Sequence, residues 1–480
     1  MNKKKFYVTT SIPYVNSIPH VGTAMEFVQG DAIARYRRLI GNEVFFQTGT
    51  DDHGQKNYTT AIENGEDPQA YVDRHAEAFK KLHAALNISY DRFIRTSDQE
   101  VHWPGVEKFW SKLLESGDVY KGEYEGLYCV GCERFLTEAE LVDGKCPLHP
   151  NREPQILSEE TYFFRYSKYV PEVIKLIESG EFQIIPGFRK KEMLEILRST
   201  PGDVSFTRLR DKLPWGIPVP NDKDHVIYVW ADALVNYLTG VGYGRDEAEF
   251  EKWWPADVHV IGKDILRFHA GLWLAMLLSA KLPLPKTVFV HGFVELDGEK
   301  ISKSLGNGVD PIELIEKYSA DALRYFLLRE GPSTSDIDFT IAKFEARYNA
   351  DLANGLGNLV SRVANLAEKV GLDLAEVSKP LLDNQYRVAV EDYRFNDALS
   401  YVWAKIAATD KLLTEHKPWE KIESDPEEAK EVIRNAALQV REIGELLLPF
   451  LPTTAERVLD IFAGPKIVKV EALFPRLEKS

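Results

Sequence analysis

The three cysteines of the chain lie in one short segment that also contains a histidine. Cys129 and Cys132 are separated by two residues, and Cys146 and His149 form a second such pair after thirteen more. Zinc binds thiolate and imidazole ligands tetrahedrally, and two short pairs supply four ligands around one ion. Reduced core cysteines beside a surface histidine are the alternative, but the spacing favours zinc. Four protein ligands leave no open coordination position, so the sequence predicts one structural Zn²⁺ rather than a catalytic one.

A lysine loop is the second candidate for chemistry. It reads Lys300-Ile301-Ser302-Lys303-Ser304, and Gly306 follows it. Two cations three residues apart, flanked by small hydroxyl residues, suit phosphate oxygens. From these residues alone, a solvated surface loop explains the pattern equally well. Beyond the loop, Asp310-Pro311-Ile312-Glu313 predicts a helix start, with an N-cap, a proline at the first helical position and a glutamate at the third.

A turn containing a glycine is the third candidate. Pro19-His20-Val21-Gly22-Thr23 follows an apolar run. The N-terminus of a helix binds anions through its free N–H groups, so this turn could hold a phosphate. Taken alone, the short motif is better explained as an ordinary strand-to-helix turn. In the helix predicted after this turn, apolar residues recur at helical spacing, at Met25, Val28, Ala32, Tyr36 and Leu39. Gly41 is predicted to cap the C-terminus of this helix.

The composition is that of a multidomain globular protein. With 480 residues, 44% of them hydrophobic, the chain has the length of about three domains. Its net charge of -15 argues against indiscriminate binding to nucleic-acid phosphates. The basic stretch 188–212 is the best local patch, although a solvated helix face explains it equally well. The longest apolar run, Ala270 to Ala280, is too short for a bilayer and no signal peptide is recognisable, so we expect a cytoplasmic protein with reduced cysteines.

Four apolar stretches that end abruptly in polar or small residues predict buried parallel strands. They are Phe6–Val15, Val44–Gly54, Val258–Asp264 and Thr287–Val294. Ligands bind such sheets at the carboxyl ends of the strands, where these polar residues lie. From about residue 341 the apolar residues recur every three or four positions, which predicts a helical bundle. There Asn354, Asn358 and Arg362 form a polar stripe that could contact nucleotide bases or simply face solvent.

In this order, the histidine motif, the cysteine segment and the lysine loop resemble a class I aminoacyl-tRNA synthetase, specifically the methionyl-tRNA synthetases. The resemblance covers essentially the whole chain. It implies an α/β fold in which a Rossmann-like parallel-sheet catalytic domain is split by a zinc-knuckle insertion and followed by an all-α helical-bundle anticodon-binding domain. The implied boundaries are 1–115 and 225–295 for the two catalytic halves, 116–224 for the insertion, 296–340 for the lysine-loop and stem-contact region, and 341–480 for the anticodon-binding domain.

Further segments resemble the methionine pocket of this family. They are Ser11-Ile12-Pro13-Tyr14, Gly49-Thr50-Asp51-Asp52-His53-Gly54, Tyr228-Val229-Trp230-Ala231-Asp232-Ala233 and Gly262-Lys263-Asp264 through His269. The resemblance makes Asp51 the partner of the substrate ammonium, whereas Gly262 and Asp264 hold substrate or ribose. Aromatic rings with one or two hydrogen-bond donors suit a polarizable thioether. The residues implied to form the side-chain pocket, with Tyr14 as its lid, are Ile12, Trp230, Ala233, Leu234, Tyr237, His269 and Trp273.

The reaction implied by the resemblance has two steps. The methionine carboxylate attacks the α-phosphate of ATP, which gives methionyl-adenylate and pyrophosphate. A hydroxyl of the 3'-terminal adenosine of tRNA(Met) then takes the methionyl group, for translation initiation and elongation. Mg²⁺ accompanies ATP, and the protein mainly positions the reactants and stabilises charge. The residues implied to do this work are His20, Gly22, Thr23, Lys300 and Lys303, and those implied to bind ATP are the same five with Gly262 and Ser302.

The resemblance places anticodon recognition on the helical domain. The matching positions are Asn354, Asn358, Arg362 and Trp419, whose amide, guanidinium and indole groups read and stack unpaired bases. Because Trp419 follows Pro418, a packed helix junction is its alternative explanation. An additional C-terminal domain of some relatives has no counterpart in this chain, so a monomer is expected.

The chain departs from the family pattern at Thr23, where a second histidine is usual. Threonine can hydrogen-bond but cannot become cationic, and losing one transition-state donor can cost about a hundredfold or more in rate. We expect a neighbouring group or the lysine loop to compensate. The conservative replacement at Ile301, where methionine is more usual, has no such consequence.

Three alternative functions explain these residues less well. A class I synthetase for isoleucine, valine or leucine normally carries a large editing insertion, for which this chain has no room. A cysteine enzyme would use a zinc ion with an open position. The alternative from another class is a non-catalytic tRNA-binding or regulatory protein that has kept the fold, against which His20, Asp51, Lys300 and Lys303 argue.

Overall fold

The computed structural model describes residues 3–132, 134–136, 141–199, 202–296, 299–300, 309–374, 382–464 and 466–477. Its strands are β1 (Lys5–Thr10), β2 (Glu43–Thr50), β3 (Arg92–Arg95), β4 (Val119–Cys129), β5 (Arg134–Leu136), β6 (Gln155–Phe164), β7 (Gln183–Ile185), β8 (Val204–Ser205), β9 (Thr207–Leu209), β10 (Pro218–Val219), β11 (Asp222–Ile227), β12 (Val258–Gly262), β13 (Thr287–His291), β14 (Val294–Leu296), β15 (Glu299–Lys300) and β16 (Ile337–Phe339).

The α-helices are α1 (Val21–Leu39), α2 (Gln55–Glu63), α3 (Pro68–Ala85), α4 (Trp103–Glu115), α5 (Tyr166–Ser179), α6 (Gly187–Ser199), α7 (Val229–Ala233), α8 (Asn236–Thr239), α9 (Glu247–Trp253), α10 (Trp273–Ser279), α11 (Pro311–Tyr318), α12 (Ala320–Arg329), α13 (Ile341–Arg347), α14 (Asn358–Lys369), α15 (Asn384–Glu391), α16 (Phe395–His416), α17 (Pro418–Lys421), α18 (Pro426–Leu447) and α19 (Pro452–Ile461). A 3-10 turn covers Lys263–Ile265, and π-helical segments cover Phe268–Leu272 and Tyr348–Gly357. Among the described helices, none is both long and apolar enough to cross a membrane.

The chain forms two compact units. The first unit comprises Met1–Pro19, Glu43–Lys81 and Tyr90–Val290. The second unit comprises His20–Asn42, Leu82–Ser89 and His291–Ser480. Helix α1, which begins at the predicted histidine motif, therefore belongs with the helical C-terminal part rather than with the strand that precedes it.

A six-stranded sheet organises the first unit, in the order β3-β2-β1-β12-β13-β7. The pairs β3–β2, β2–β1, β1–β12 and β13–β7 are parallel. All of β12 and β13 is buried, as expected for strands covered on both faces. The four predicted strands are confirmed, although the first ends at Thr10, before Pro13, which lacks the N–H that a sheet ladder needs.

The order of the strands reverses at β1, which has β2 on one side and β12 on the other. Ligands of open α/β sheets bind at such a switch point, outside the carboxyl ends of the strands. Three of the four segments predicted to form the methionine pocket lie at the carboxyl ends of β1, β2 and β12, and the fold therefore places these three at one edge of the sheet. The fourth, residues 228–233, follows β11, which belongs to a separate antiparallel sheet of order β10-β11-β9.

An antiparallel sheet carries the cysteine segment. Its order is β5-β4-β6-β8, and β4 pairs with β6 from Val119–Phe164 to Tyr128–Gln155. The same predicted insertion, 116–224, also contains β7, which forms the edge strand of the parallel sheet through pairing with β13. Three residues of the predicted insertion thus form part of the six-stranded parallel sheet.

The second unit is mainly helical, as the apolar periodicity after residue 341 predicts. The predicted start of α11 is confirmed, because the Asp310 side chain accepts a hydrogen bond of 2.8 Å from the Ile312 N–H. The predicted end of α1 is also confirmed, since Gly41 has φ +90 directly beyond the helix.

A buried ion pair holds α1 within the second unit. Arg324 and Asp31 are 2.8 Å apart and both side chains are fully buried. The Arg324 guanidinium also donates to the carbonyls of Phe450 at 2.7 Å and Leu86 at 3.1 Å. Burial alone would raise the pKa of Asp31, but Arg324 and Arg35 outweigh it and lower that pKa below its usual value. Each charge thus has the partners that a buried charge requires.

Candidate functional site

Asp51 lies directly beyond the carboxyl end of β2 and is buried, with 5% of its surface exposed. Its Oδ1 accepts hydrogen bonds from the Thr96 hydroxyl at 3.1 Å and the His53 N–H at 3.3 Å. The Asp51 N–H donates to the Pro13 carbonyl at 2.9 Å, and Tyr14 pairs with Asp51 in a parallel bridge. The carboxylate is therefore a fixed anion in a sheltered site, as recognition of an ammonium requires.

A cluster of aromatic rings contains most of the predicted side-chain pocket. Trp230, on α7, stacks on Phe268 with ring centres 3.7 Å apart and planes within 5°. The ring of His269 lies 6.4 Å from Trp230 and 5.6 Å from Tyr237. Trp273 is fully buried, with its ring 6.1 Å from Tyr237. The structure thus brings together residues that are 43 positions apart in the chain.

Hydrogen bonding defines the tautomer of His269. Its Nδ1 lies 3.0 Å from the Ile265 carbonyl, which can only accept, so Nδ1 carries a proton. The Tyr237 hydroxyl lies 2.7 Å from Nε2, and in the neutral Nδ1–H tautomer Nε2 accepts a hydrogen bond from it. His269 lies in the π-helical segment, and such segments are frequent at functional sites.

The other residues predicted to contact the substrate differ in burial. Ile12 and Tyr14 follow β1 and are partly buried, whereas Ala233 and Leu234, at the end of α7, are buried. Gly262 is the buried last residue of β12. Asp264, in the 3-10 turn, is exposed.

The histidine motif begins a helix in the second unit. His20 is the N-cap of α1, and its carbonyl accepts from the N–H groups of Thr23 at 2.9 Å and Ala24 at 3.1 Å. A Cβ at Gly22 would lie 3.0 Å from the His20 ring, so glycine permits the ring to pack closely over the turn. The turn has the strand-to-helix geometry that the sequence predicts.

The lysine loop is described only at its first residue. Lys300 lies in β15, whose backbone pairs with β14 through Glu295. The predicted phosphate-binding residues Ser302 and Lys303 lie outside the described residues.

The four predicted zinc ligands form one cluster, in which all ligand atoms lie within 4.8 Å of one another. The Nδ1 of His149 is 3.8 Å from Cys129 Sγ, 3.3 Å from Cys132 Sγ and 3.9 Å from Cys146 Sγ. The sulfurs of Cys132 and Cys146 are 3.4 Å apart. A tetrahedral zinc ion with Zn–S of about 2.3 Å and Zn–N of about 2.0 Å needs edges of about 3.5–3.8 Å, so this arrangement fits such an ion.

Local backbone geometry supports the cluster. The Cys132 N–H points to Cys129 Sγ at 3.4 Å. A Cβ on Gly131 would lie 2.5 Å from the His149 ring, so only glycine allows this approach. The small core here comprises Cys129, Leu136 and Cys146, with Cys132 and Leu141 packed against it. A core of this size needs a further source of stability, which a metal would supply.

Two of the four predicted anticodon residues meet in the helical part of the second unit. The Arg362 guanidinium lies 4.7 Å from the centre of the Trp419 ring and forms a 2.8 Å ion pair with Asp410. Trp419 is 38% exposed, so its ring is partly covered, with the Arg362 guanidinium over one face, and partly accessible to solvent. Asn354 and Asn358 are exposed, one in the second π-helical segment and one at the start of α14.

Several residues beside the predicted pocket have contacts that the sequence did not predict. Phe268 stacks on Trp230, Thr96 holds Asp51, and Asp232 is bonded to both His53 and His102. His53 and Asp232 lie inside segments that resemble the methionine pocket of the family, so the resemblance could have identified them. His102 and Thr96 lie outside these segments and had no local signal.

Comparison with known proteins identifies the class of this protein. The family described as "tRNA synthetases class I (M)" matches residues 6–153 and 148–364. The family described as the anticodon binding domain of methionyl tRNA ligase matches residues 362–472. Together with the parallel sheet, the cysteine–histidine cluster and the helical C-terminal part, these matches define a class I aminoacyl-tRNA synthetase.

Individual relatives narrow the class to one family. The chain is 43% identical to the methionine–tRNA ligase of Thermotoga maritima over 95% of this chain and 74% of that protein. It is 41% identical to the methionine–tRNA ligase of Brucella melitensis over 97% and 93% of the two chains. The solved structure of Mycobacterium tuberculosis methionyl-tRNA synthetase with methionyl-adenylate matches with a TM-score of 0.90 at 35% identity, covering 98% of this chain and 100% of that one. The chain belongs to the methionyl-tRNA synthetase family.

Proposed function

We propose that this chain activates L-methionine with ATP to form methionyl-adenylate and pyrophosphate, and then transfers the methionyl group to the 3'-terminal adenosine of tRNA(Met). The observation that carries the proposal is the arrangement at the sheet edge. Asp51 is a buried carboxylate directly beyond β2, and its segment is joined through the His53–Asp232 contact to the helix that carries Trp230 in the aromatic cluster, where Tyr237 and His269 are 2.7 Å apart. The relative from M. tuberculosis holds methionyl-adenylate, the intermediate of the proposed reaction.

The first unit supplies the amino-acid site. Asp51 binds the ammonium, while Trp230, Tyr237, His269 and Trp273, together with Ile12, Ala233 and Leu234, surround the thioether and Tyr14 covers it. In this proposal the Tyr237 hydroxyl donates its proton to a hydrogen bond with His269. The hydroxyl oxygen of Tyr237 can still accept a hydrogen bond. Gly262 and Asp264 follow a central strand and hold substrate or ribose. The activation step needs no proton transfer from the protein, since its nucleophile is an ionised carboxylate; in the second step the tRNA hydroxyl loses its proton as the ester forms and adenylate leaves.

A further set of residues binds the phosphates of ATP in this proposal. His20, Gly22 and Thr23 form the N-terminal turn of α1, where N–H groups and the helix dipole favour negative charge. Lys300, Ser302 and Lys303 bind the phosphates, and the two lysines neutralise the charge that develops during the attack. Mg²⁺ brought with ATP would supply further positive charge for the phosphates. These residues position the reactants and stabilise the transition state.

The other assignments follow the same reasoning. Cys129, Cys132, Cys146 and His149 hold one structural Zn²⁺. Asn354, Asn358, Arg362 and Trp419 contact the anticodon. The five-part domain division, a monomeric state and a cytoplasmic location are proposed with them; reduced thiols of a metal cluster suit that compartment.

ATP–pyrophosphate exchange with purified protein and no tRNA tests the function directly. Methionine should support exchange, while isoleucine, leucine, valine, cysteine and homocysteine should support it at least about a hundredfold less efficiently. Dominance of another amino acid would refute the pocket assignment. Absence of exchange from folded, zinc-loaded protein would favour the non-catalytic alternative.

Replacing Thr23 by histidine, the residue usual in the family, is expected to change kcat for exchange by less than about threefold, whereas a donor that nothing replaced would be worth about a hundredfold. The reason is that a neighbouring group or the lysine loop compensates for the missing imidazole. The measurement is kcat at saturating methionine and ATP. A large rise in Thr23→His would show that nothing compensates. Thr23→Ala, which removes the hydroxyl, is the matched control and should lower kcat.

Replacing Trp419 by alanine should lower kcat/KM for tRNA(Met) in aminoacylation by about 10–100-fold, because one base–aromatic stack contributes about 1–3 kcal/mol. Exchange without tRNA should stay unchanged. Val468→Ala removes another exposed apolar side chain of the same unit, 57% exposed, and should alter neither assay. Equal loss in both assays for Trp419→Ala would mean that the indole stabilises the fold instead of contacting the anticodon.

A further inference from the structure

A fully buried carboxylate is held between two histidines beside the proposed methionine pocket. Asp232 Oδ2 lies 2.6 Å from His53 Nδ1, and its Oδ1 lies 2.7 Å from His102 Nε2. The exposed fractions of the Asp232, His102 and His53 side chains are 0%, 0% and 3%. Because the carboxylate can only accept, both imidazole nitrogens that face it carry protons.

This group is ionised and firmly held. Burial alone would raise the pKa of Asp232, but the charges and hydrogen bonds of the two histidines outweigh it and keep that pKa below its usual value. The Nδ1 of His102 is bonded in turn to the Thr239 hydroxyl at 2.8 Å. The rings of Trp215 and Trp103 lie 5.5 Å and 6.1 Å from His53.

The three members come from three separate segments. His53 is two residues beyond Asp51, and its N–H donates to Asp51 Oδ1. Asp232 lies on α7 between Trp230 and Ala233, which line the proposed side-chain pocket. His102 is the N-cap of α4. One carboxylate therefore joins the segment that binds the ammonium to the segment that surrounds the thioether.

Helix α7 has only five residues, so its own hydrogen bonds fix its position weakly. The Tyr228 N–H, which donates to the Phe206 carbonyl at 2.9 Å, and the Gln47 amide of β2, which donates to Asn236 at 2.7 Å, hold the chain on either side of α7. The contacts of Asp232 reach directly to the Asp51 segment. The distance between the ammonium partner and the pocket wall decides which length of amino acid fits. A pocket distinguishes one methylene by about 10–200-fold when its walls are held in place.

We propose that Asp232 is a positioning residue that, through His53 and His102, sets the distance between Asp51 and the side-chain pocket and so selects amino acids by length. This inference rests on the proposed function. Asp232 itself does not touch the substrate in this assignment. It acts through Asp51 at one end and through Trp230 and Ala233 at the other.

The test is Asp232→Asn, compared with the unchanged protein in ATP–pyrophosphate exchange. We expect KM for methionine to rise about tenfold, and the preference for methionine over ethionine, which is one methylene longer, to fall about tenfold. KM for ATP should stay within about twofold. An unchanged methionine-to-ethionine preference, or equal changes in both KM values, would overturn the inference.

Asp118→Asn is the matched control. Asp118 is also buried in the first unit, where it accepts from Lys168 at 2.6 Å and Ser279 at 2.8 Å, but it has no described bond to the pocket segments. Its variant should keep the preference for methionine over ethionine whatever stability it loses in a thermal melt. A loss of preference in Asp118→Asn as well would show that general destabilisation is responsible.

A second pair of variants decides the matter if Asp232→Asn does not fold. His102→Leu removes the donor to Asp232, and His102→Gln keeps a donating N–H. The preference should fall in His102→Leu and return at least halfway in His102→Gln; failure of either result refutes the inference. The proposed function fails separately, through absence of methionine-dependent exchange in the unchanged protein.

Discussion

Replacing Asp51 by asparagine is expected to lower kcat/KM for methionine in ATP–pyrophosphate exchange by about 10²–10³-fold, which corresponds to about 3–4 kcal/mol. The asparagine amide has almost the same shape but no charge, so the substrate ammonium would enter a sheltered site without a counter-ion. Thr96 and His53 donate to Oδ1 of the present carboxylate, and they fix its orientation. The loss should appear mainly in KM for methionine, with KM for ATP little changed.

Asp91→Asn provides the control for Asp51→Asn. Asp91 immediately precedes β3 at the opposite end of the same strand pair, where it is exposed and accepts from the Phe46 N–H at 2.7 Å. The same chemical change there should leave exchange within about twofold, because surface substitutions away from a site have small effects. Retention of full activity by Asp51→Asn would refute the assignment of the ammonium partner.

Replacing Cys146 by serine is expected to abolish stable zinc binding. The unchanged protein should retain about one Zn²⁺ per chain after gel filtration with a weak chelator, and the variant less than about a tenth of this, since structural zinc sites contribute about 10–16 kcal/mol through a complete ligand set. A serine hydroxyl is a poor zinc ligand, and three ligands remain. Zinc per chain, measured by atomic absorption, checks the prediction.

The same variant should also unfold locally. The small core around Cys129, Leu136 and Cys146 is separate from the large core of the first unit, so limited proteolysis should cut between residues 129 and 149. Lys145→Gln is the control, because it changes the residue next to Cys146 without removing a ligand and should leave both zinc content and proteolysis unchanged. Full zinc retention in Cys146→Ser would mean that Cys146 is not a ligand.

The sequence predicted well the features whose causes are local. The cysteine and histidine pairs form one cluster because each pair lies on a short turn whose span matches a tetrahedral edge. Helix α11 begins at Asp310 because the side chain and the following proline both favour that start. The parallel strands were recognisable because burial on both faces leaves a continuous apolar run.

Other features depend on partners far away in the chain. Strand β7, of three residues, is too short to recognise by pattern and exists because β13, about a hundred residues later, completes its hydrogen bonds. Arg362 reaches Trp419 and Asp410 across about fifty residues. These contacts form because buried or charged groups need partners, and a local pattern does not identify which groups will meet.

The amino-acid sequence by itself therefore determined the family, the residues of the cysteine–histidine cluster, the strands of the parallel sheet and the helical nature of the C-terminal part. The tertiary structure alone decided how Asp51 is held, which tautomer His269 adopts, and that one carboxylate, Asp232, joins His53 and His102 over 179 and 130 positions of sequence. Short-range geometry and burial leave a signal in neighbouring residues. The pairing of buried polar groups is settled only when distant segments pack, because each group must then find its hydrogen-bond partner away from water.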